Sequence, residues 1–324
     1  MKRLKTILIG TVLMLFISGA AYSQYDINDI QKAIGDFADE IHESVPFYST
    51  LGLNWSDAYI GKFFPSLPPH FGVGINAGFT TFGSGAFKSV LNAVGAGGAL
   101  PAPLENIGAP LLGYTVEARL GGIVLPFDIG VKLGILPLDL SDYSIDYLLV
   151  GADIRYAVLD KPLSPIKVSI GVGYNHLKGG IRVPLGSGFD LDLPGSETIT
   201  MSDPKLGFLW GTDTIELKGQ VSLKLPFITP YAGAGISVAF THAGYEFKSD
   251  LGGISDAEIG ALSSLGITGI SNSGFQYIDN NTSFNMRLFG GISFNLTVVR
   301  FDFSVLYNMI GGQFGASFGT RIQI

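Results

Sequence analysis

The sequence predicts an all-β protein: a transmembrane, antiparallel, up-and-down β-barrel of 10 to 12 strands preceded by an amphipathic helix. From Phe71 to Thr80 apolar side chains alternate with Gly, Asn or Thr, and 284–296 repeats the pattern. The mean hydropathy is +0.38, yet after residue 23 no apolar run reaches the roughly 20 residues that a spanning helix needs. Dispersed apolar strands can satisfy their backbone groups in lipid only as a closed barrel.

The first 23 residues predict a cleaved secretion signal. Lys2, Arg3 and Lys5 form a basic start, 7–17 is apolar, and Ala21-Tyr22-Ser23 has the small-x-small pattern of a cleavage site. We therefore expect 1–23 to be removed, 24–69 to form an N-terminal helical plug segment, and 70–324 to form the barrel.

Composition excludes several classes of function. Without the signal the chain has 17 basic and 27 acidic residues, a net charge of −10, which makes nucleic acid a poor partner. The absence of cysteine excludes disulfides, thiolate metal sites and a lipidated cysteine. We expect no cofactor and no metal. The expected partners are membrane lipid, the outer-membrane assembly machinery and a small hydrophobic ligand, in the bacterial outer membrane.

Residues 26–44 change to a helical period, with apolar residues on one stripe and acidic residues opposite, and Pro46 is expected to end the helix. The helix is expected on the periplasmic side, where its acidic face would meet a basic lumen. The residues assigned to this plug are Ile30, Ile34, Asp36, Phe37, Asp39, Glu40 and Ile41. The alternative is a periplasmic helix that docks on another protein.

Ten strands are predicted, at 70–82, 113–124, 127–136, 145–158, 165–177, 212–224, 230–241, 283–296, 299–309 and 313–324. The long connections 83–112, 178–211 and 242–282 fall at one end, as in outer-membrane barrels, whose outer loops are long. Within 178–211, residues 180–185 and 206–210 either extend the neighbouring strands or add a hairpin, which would make twelve strands. Aromatic residues near the strand ends indicate two membrane girdles, and the alternative fold is a soluble β-sandwich with these residues in its core.

The less apolar face of the strands places charged residues in the lumen. They are Glu117, Arg119, Asp128, Lys132, Asp153, Arg155, Lys167, Glu216, Lys218, Lys224, Arg287, Arg300, Asp302 and Arg321. Nine are basic and five acidic. The expected local pairs are Asp153 with Arg155 and Arg300 with Asp302. Either the charges line a basic pore, or they pair and fill a narrow, closed barrel.

Two long loops are unusually apolar for loops that face water, which indicates an interaction surface. We expect a ligand groove between 83–112 and 242–282, with a helix beginning near Asp256. Its residues would be Leu100, Leu104, Ile107, Leu111, Ile259 and Leu262.

The order of signal, N-terminal plug and barrel with apolar outer loops resembles the long-chain fatty acid transporter family. The resemblance implies a hydrophobic entry groove in the loops, a movable N-terminal hatch and a barrel of 14 strands. The Asn-Pro-Ala of that family is not evident near residue 24, so no site residue is carried over.

No catalytic residue is predicted. Gly315 to Gly319 fits G-x-S-x-G, but that motif requires a strand-to-helix turn and here it lies inside the last strand. The leading functional prediction is uptake or binding of a small, fatty-acid-like molecule, gated by the plug. A closed structural or adhesin-like barrel is the alternative, and a barrel hydrolase with residues at its rim is the third reading.

Overall fold

The computed structural model describes residues 27–60, 70–82, 109–122, 126–136, 138–140, 143–161, 164–184, 189–192, 198–250, 255–264, 268–271 and 273–324. The predicted signal peptide lies outside these residues. So do Leu100, Leu104 and Ile107 of the predicted loop groove.

Ten antiparallel strands form a closed wall. They are β1 (His70–Phe82), β2 (Ala109–Gly121), β3 (Phe127–Ile135), β5 (Tyr143–Leu159), β6 (Ile166–Pro184), β8 (Thr198–Leu223), β9 (Ile228–Asp250), β11 (Gly274–Leu296), β12 (Val299–Asn308) and β13 (Phe314–Gln323). Each pairs with the next, and β13 pairs back to β1 from Gln323 opposite Gly72 to Gly315 opposite Thr80. The count is therefore ten, and the expectations of 12 or 14 strands were wrong.

Three short strands attach to the wall: β4 (Leu138–Leu140) to β5, β7 (Phe189–Asp192) to β8 and β10 (Thr268–Ser271) to β11. The segment 178–211 adds no wall strand because its two ends lengthen β6 and β8. The end of the barrel with the long connections is called the loop end below, and the opposite end the turn end.

The outer face of the wall is an apolar belt. Ile75, Val131, Ile170 and Leu217 are each half exposed or more, and the intervening side chains point inward. Aromatic side chains such as Phe127 lie on the outer face at the edges of the belt. This is the surface that a lipid-spanning barrel presents.

The wall is taller on one side. Strands β5, β6, β8, β9 and β11 have 17 to 26 residues, whereas the other five have 9 to 13. The long strands continue past the belt at the loop end. There Arg182 pairs on the outer face with Asp146 at 2.6 Å and with Glu246, and these ion pairs join β5, β6 and β9 above the belt.

Helix α1 (Ile27–Ser49) continues through Pro46, where the sequence predicted its end. Proline removes one helical hydrogen bond, but Val45 and Phe47 are completely buried, and this packing holds the last turn. Helix α2 (Asp256–Ser264) begins with a capping box, in which Ser255 and Glu258 hydrogen-bond reciprocally. In the described part of the chain, no helix is both long and apolar enough to cross a membrane.

Candidate functional site in the barrel lumen

Residues 38–60, called the lumen segment, occupy the barrel interior from end to end. At the loop end, Ser44 accepts a hydrogen bond from Gln313, and His42 Nε2 lies 3.4 Å from the carbonyl oxygen of Asp279. At the turn end, the backbone N–H of Ile60 donates to Asp128 Oδ2 at 3.0 Å. The chain therefore passes through the lumen from the loop end to the turn end before β1 begins.

Apolar contacts anchor the end of α1 at mid-barrel. Phe47 packs in a buried cluster with Tyr231, Phe289 and Leu306 of three neighbouring strands. On the opposite side, the Tyr48 hydroxyl donates to the carbonyl oxygen of Leu112 at 2.6 Å. The helix is thus held against both sides of the wall.

Lys132 caps the C-terminus of α1. Its ammonium donates to the carbonyl oxygens of Ser49 at 2.7 Å and Leu51 at 2.6 Å. The Ser49 carbonyl lies in the last turn of α1, where carbonyl groups lack helical partners and carry the negative end of the helix dipole, so a buried cation is favourable there. The Leu51 carbonyl lies just beyond the helix. The wall thereby supplies a charge that α1 needs in order to end inside the lumen.

A tight turn at Gly52 and Leu53 redirects the chain after the helix. Both residues have positive φ, +85° and +56°. A Cβ atom at Gly52 would lie 2.6 Å from Glu117 Oε1 and 2.7 Å from Thr115 Oγ1, so the turn has space only for glycine. The turn places the Trp55 indole N–H 2.6 Å from Glu117 Oε2.

Asp57 joins the lumen segment to the last wall strands. Its Oδ2 lies 2.6 Å from Arg300 Nη1 and 3.0 Å from Arg321 Nη2. Arg321 also stacks over Trp55, with its guanidinium carbon 4.5 Å from the ring centroid. Charge-assisted hydrogen bonds and a cation–π contact therefore converge on residues 55–57.

The wall charges of the turn-end half pair across strands. Arg119 bridges Asp128 at 2.6 Å and Asp153 at 2.8 Å, Arg155 also binds Asp128, and Lys218 binds Asp153. Glu216 pairs with Arg287 at 2.5 Å, and Arg321 with Asp302 at 2.8 Å.

The expected local pairs, Asp153 with Arg155 and Arg300 with Asp302, were therefore wrong. Arg155 binds Asp128 of the adjacent strand, and Arg300 binds Asp57 of the lumen segment. Asp128 lies directly opposite Arg155 on the neighbouring strand. Opposed residues have Cβ atoms about 4.5–5.5 Å apart, closer than the roughly 6.6 Å between residues two apart along one strand.

The structure places most of the predicted lumen charges inside the barrel. The buried ones are Glu117, Arg119, Asp128, Lys132, Asp153, Arg155, Glu216, Lys218, Arg287, Arg300 and Arg321. Lys167 lies instead at the turn-end rim, paired with Asp160, and Lys224 is exposed just beyond β8.

In the part of the helix whose side chains the structure describes, the predicted acidic face does not meet the basic wall. Asp39 and Glu43 are exposed, Glu40 is half-buried with Ser44 as a hydrogen-bond donor, and Ile41 is buried. The side chains of Ile30, Ile34, Asp36 and Phe37 lie outside the described residues. The helix is in the loop-end half, away from the charged half, so Asp57 supplies the carboxylate that the helix was expected to provide.

Buried polar side chains such as Asn285, Asn308 and Gln313 line part of the loop-end half of the lumen. The rest, along β5, β6, β8, β9 and the start of β11, is mostly apolar and is called the vestibule. Its wall consists of inward-facing side chains of the long strands: Tyr147, Leu149, Leu177, Leu206, Phe208, Trp210, Tyr245, Phe247 and Phe275. Tyr245 stacks on Tyr277 at 5.6 Å, and Phe247 lies 5.1 Å from Phe275. Burial, reinforced by Tyr277, raises the pKa of Tyr245 to about 12, so its hydroxyl is neutral.

In the vestibule wall, Trp210 has a buried polar atom without a hydrogen-bond partner among the described residues. It is the indole nitrogen of Trp210, whose ring packs flat against Gly179. A buried donor without an acceptor costs about 1–3 kcal/mol. This N–H is therefore available to an acceptor that enters the vestibule.

The predicted loop groove is described only in part. Leu111 faces inward at the loop end of β2 and is half-buried, whereas Ile259 and Leu262 lie on α2, where Leu262 is completely buried. The G-x-S-x-G sequence lies within β13, and the Ser317 hydroxyl hydrogen-bonds to Ser304 at 2.6 Å. The strand continues through Ser317 without the turn that this motif requires.

The sequence analysis did not identify Gly52, Trp55 and Asp57. A usable signal was present, because Asp57 is the sole carboxylate between Phe47 and Pro69 and is surrounded by aromatic residues. A lone acidic residue in an apolar stretch indicates a buried, paired carboxylate.

No protein-family model matches the chain, that of the long-chain fatty acid transporters included, and no curated protein sequence matches it. Solved structures match over the barrel. The outer membrane protease OmpT from Escherichia coli is 7% identical over 81% of this chain and 97% of its own, with a TM-score of 0.34.

The translocator domain of autotransporter NalP from Neisseria meningitidis is 8% identical over 79% of this chain and 87% of its own, with a TM-score of 0.38. A major outer membrane protein from Thermus thermophilus is 11% identical over 79% of this chain and all of its own, with a TM-score of 0.31. At these identities and scores, function has to be argued from the chain's own residues.

Proposed function

We propose that this protein is a bacterial outer-membrane barrel that binds and admits a small hydrophobic molecule, with the lumen segment as its plug. The apolar belt and the position of the long connections at one end support this location, with the loop end outside the cell. In this proposal the lumen segment closes the barrel at rest and moves when ligand enters.

The observation that carries the proposal is the contrast between the ionic turn-end half of the lumen and the apolar vestibule. The turn-end half is ionic and is linked to residues 49–57, whereas the vestibule presents aromatic and aliphatic side chains to the interior. If the lumen needed only to be filled, the same ionic packing could extend through both of its halves. Apolar pockets with a few polar groups are the usual environment for hydrophobic ligands.

The vestibule is occupied at rest. Buried side chains of α1, including Ile41 and Val45, lie in this half of the lumen, so a ligand has to displace the helix to reach the wall. The unpartnered indole N–H of Trp210 would then bind a carboxylate or carbonyl oxygen, while Phe247 and Tyr245 contact the hydrocarbon tail. Displacement of α1 would pull on the lumen segment and couple binding to opening.

The two tryptophans allow a direct test, since Trp210 lies in the vestibule and Trp55 in the ionic half. A Trp55→Phe variant retains only the vestibule reporter, and a Trp210→Phe variant only the other. On titration with saturated fatty acids, emission from Trp210 should change. Affinity should rise by up to about 0.8 kcal/mol for each buried CH₂.

The control is the emission of Trp55 in the Trp210→Phe variant. This emission should change less than that of Trp210 and should do so at the same or higher ligand concentration. Equal affinity for short and long chains, or an unchanged Trp210 emission, would refute the proposal. A Phe247→Ala variant should weaken binding of the longest chains most.

A second candidate is a closed structural or surface-interaction barrel. It is favoured by the pairing of the buried lumen charges, because a lumen of paired charges around a central segment needs no passage to be stable. The fluorescence titration separates the two candidates, since a closed barrel should leave Trp210 unaffected by fatty acids at every chain length.

A further inference from the structure

We propose a second binding site, on the outer face of the barrel, for the phosphate headgroup of a membrane lipid. It lies where β6, β8 and β9 leave the apolar belt at the loop end. Lys178 of β6 supplies the positive charge of the patch, and His176 of β6 and His242 of β9 supply imidazole nitrogens. This proposal is independent of ligand uptake through the lumen.

Strand register brings the three basic residues together. His176 lies opposite Asp213 of β8, and in the next row Gly211 lies between Lys178 and His242. A Cβ atom at Gly211 would collide with the His242 ring, so this ring extends across the glycine toward β6.

Asp213 positions one of the histidines. Its Oδ1 lies 2.8 Å from His176 Nδ1 and also accepts a hydrogen bond from the Tyr174 hydroxyl. A ring nitrogen held by a carboxylate fixes the orientation of the imidazole and leaves Nε2 for a ligand. Asp213 is the one carboxylate in these two rows of β6, β8 and β9. It is already bound to His176, and it orients that imidazole for a ligand.

Lys178 is exposed and makes no ion pair with the described residues. The lysine at the opposite edge of the same strand differs, because Lys167 is bound to Asp160 at 2.5 Å. Lysine binds phosphate as a point charge. Toward the loop end of β6, the Lys178 ammonium is therefore unpaired beside two imidazoles. At the turn end of the same strand, Asp160 neutralises Lys167.

The belt directly below the patch identifies the ligand as a lipid. Val172, Ile215 and Leu217 are each about half exposed in the rows beneath His176 and Asp213. An acyl chain along these side chains would place its headgroup phosphate at Lys178 and His242. A free phosphate would gain nothing from this apolar surface.

The test compares two lipids with identical tails, using the folded full-length mature protein in detergent and native mass spectrometry. Dioleoyl phosphatidic acid should remain bound, whereas dioleoylglycerol, which lacks the phosphate, should not. Lys178→Gln should weaken phosphatidic acid binding about fivefold, the contribution of one basic residue near a membrane. Lys178→Gln with His242→Gln, which also removes an imidazole donor, should weaken it further. Lys178→Arg should retain binding, and Lys205→Gln, an outward-facing lysine further up β8, is the matched control.

Equal retention of the two lipids by the wild-type protein would overturn the proposal, and this comparison does not depend on any variant folding. Unchanged binding by the double variant would also overturn it. Competition by inorganic phosphate at millimolar concentration would assign the patch to a free anion and contradict the lipid assignment.

Discussion

Asp57 of the lumen segment and Arg300 of β12 form a buried ion pair of 2.6 Å that connects the occupant of the barrel to its wall. Arg321 of β13 binds the same carboxylate oxygen at 3.0 Å. Removal of one partner from a buried pair costs about 3–5 kcal/mol, because the remaining charge stays desolvated. Loss of this junction should therefore weaken the attachment of the lumen segment to the wall.

Asp57→Asn should loosen the segment while leaving the wall folded. The amide has the shape of the carboxylate but leaves Arg300 and Arg321 without its charge. We expect frequent brief openings in planar-bilayer recordings, where the wild-type barrel is closed. Asp39→Asn, an exposed carboxylate on the same segment, is the control, and equal behaviour of the two variants would contradict the role of Asp57.

Removal of residues 24–60 should convert the barrel into an anion-selective channel. The turn-end wall would then present seven basic side chains, Arg119, Lys132, Arg155, Lys218, Arg287, Arg300 and Arg321, and five acidic ones, Glu117, Asp128, Asp153, Glu216 and Asp302. Fixed positive charge in a pore favours anions. Reversal potentials in a KCl gradient measure this preference, and a cation-selective pore would show that the charge balance is misassigned.

Gly52→Ala should displace the turn that positions Trp55. The added Cβ would lie 2.6 Å from Glu117 and 2.7 Å from Thr115, at a φ of +85° that favours glycine. We expect Trp55 emission to shift as its hydrogen bond to Glu117 is lost. Gly260→Ala in α2 is the matched control, since nothing lies within 4 Å of its added Cβ, and its emission should equal that of the wild type.

The path of the lumen segment predicts which residues face the cell exterior. Single cysteines at Asp39 and Gly260, both exposed in the loop-end half, should react with a membrane-impermeant maleimide on intact cells. A cysteine at Lys161, exposed at the turn end, should react only after lysis. Labelling at Lys161 alone would reverse the orientation of the barrel.

The sequence predicted the wall strands well because every strand crosses one apolar belt, and a two-residue period reports that directly. It gave the extension of β8 only as one of two alternatives and missed that of β9, since above the belt the outward positions become Gly207, Gly211 and Glu246 and the alternation is lost. Inward-facing charges followed from the same period. Their partners did not, because pairing depends on strand register, which no local pattern encodes.

The path of the N-terminal segment could not be predicted from the sequence either. The amphipathic stripe of α1 predicts that one face is buried but does not name the surface that covers it. The helix was therefore expected on the periplasmic side, whereas the contact of His42 with Asp279 places it in the loop-end half. Only the three-dimensional contacts of Asp57 and Trp55 give its direction through the barrel.

The central claim, that the lumen segment must move for a hydrophobic molecule to pass, can be tested with a reversible lock. The chain has no cysteine, and the hydroxyl oxygens of Ser49 in the segment and Thr214 in β8 lie 3.1 Å apart. Ser49→Cys with Thr214→Cys should form a disulfide that ties the segment to the wall. The control is Ser304→Cys with Ser317→Cys, which joins two wall strands whose hydroxyl oxygens are 2.6 Å apart.

The deciding measurement is uptake of a fluorescent fatty acid into proteoliposomes that contain each oxidised variant, before and after reduction. The account predicts that the oxidised Ser49–Thr214 lock abolishes uptake, that reduction restores it, and that the wall-to-wall control takes up ligand in both states. Uptake by the oxidised lock at the rate of its reduced form would contradict the account.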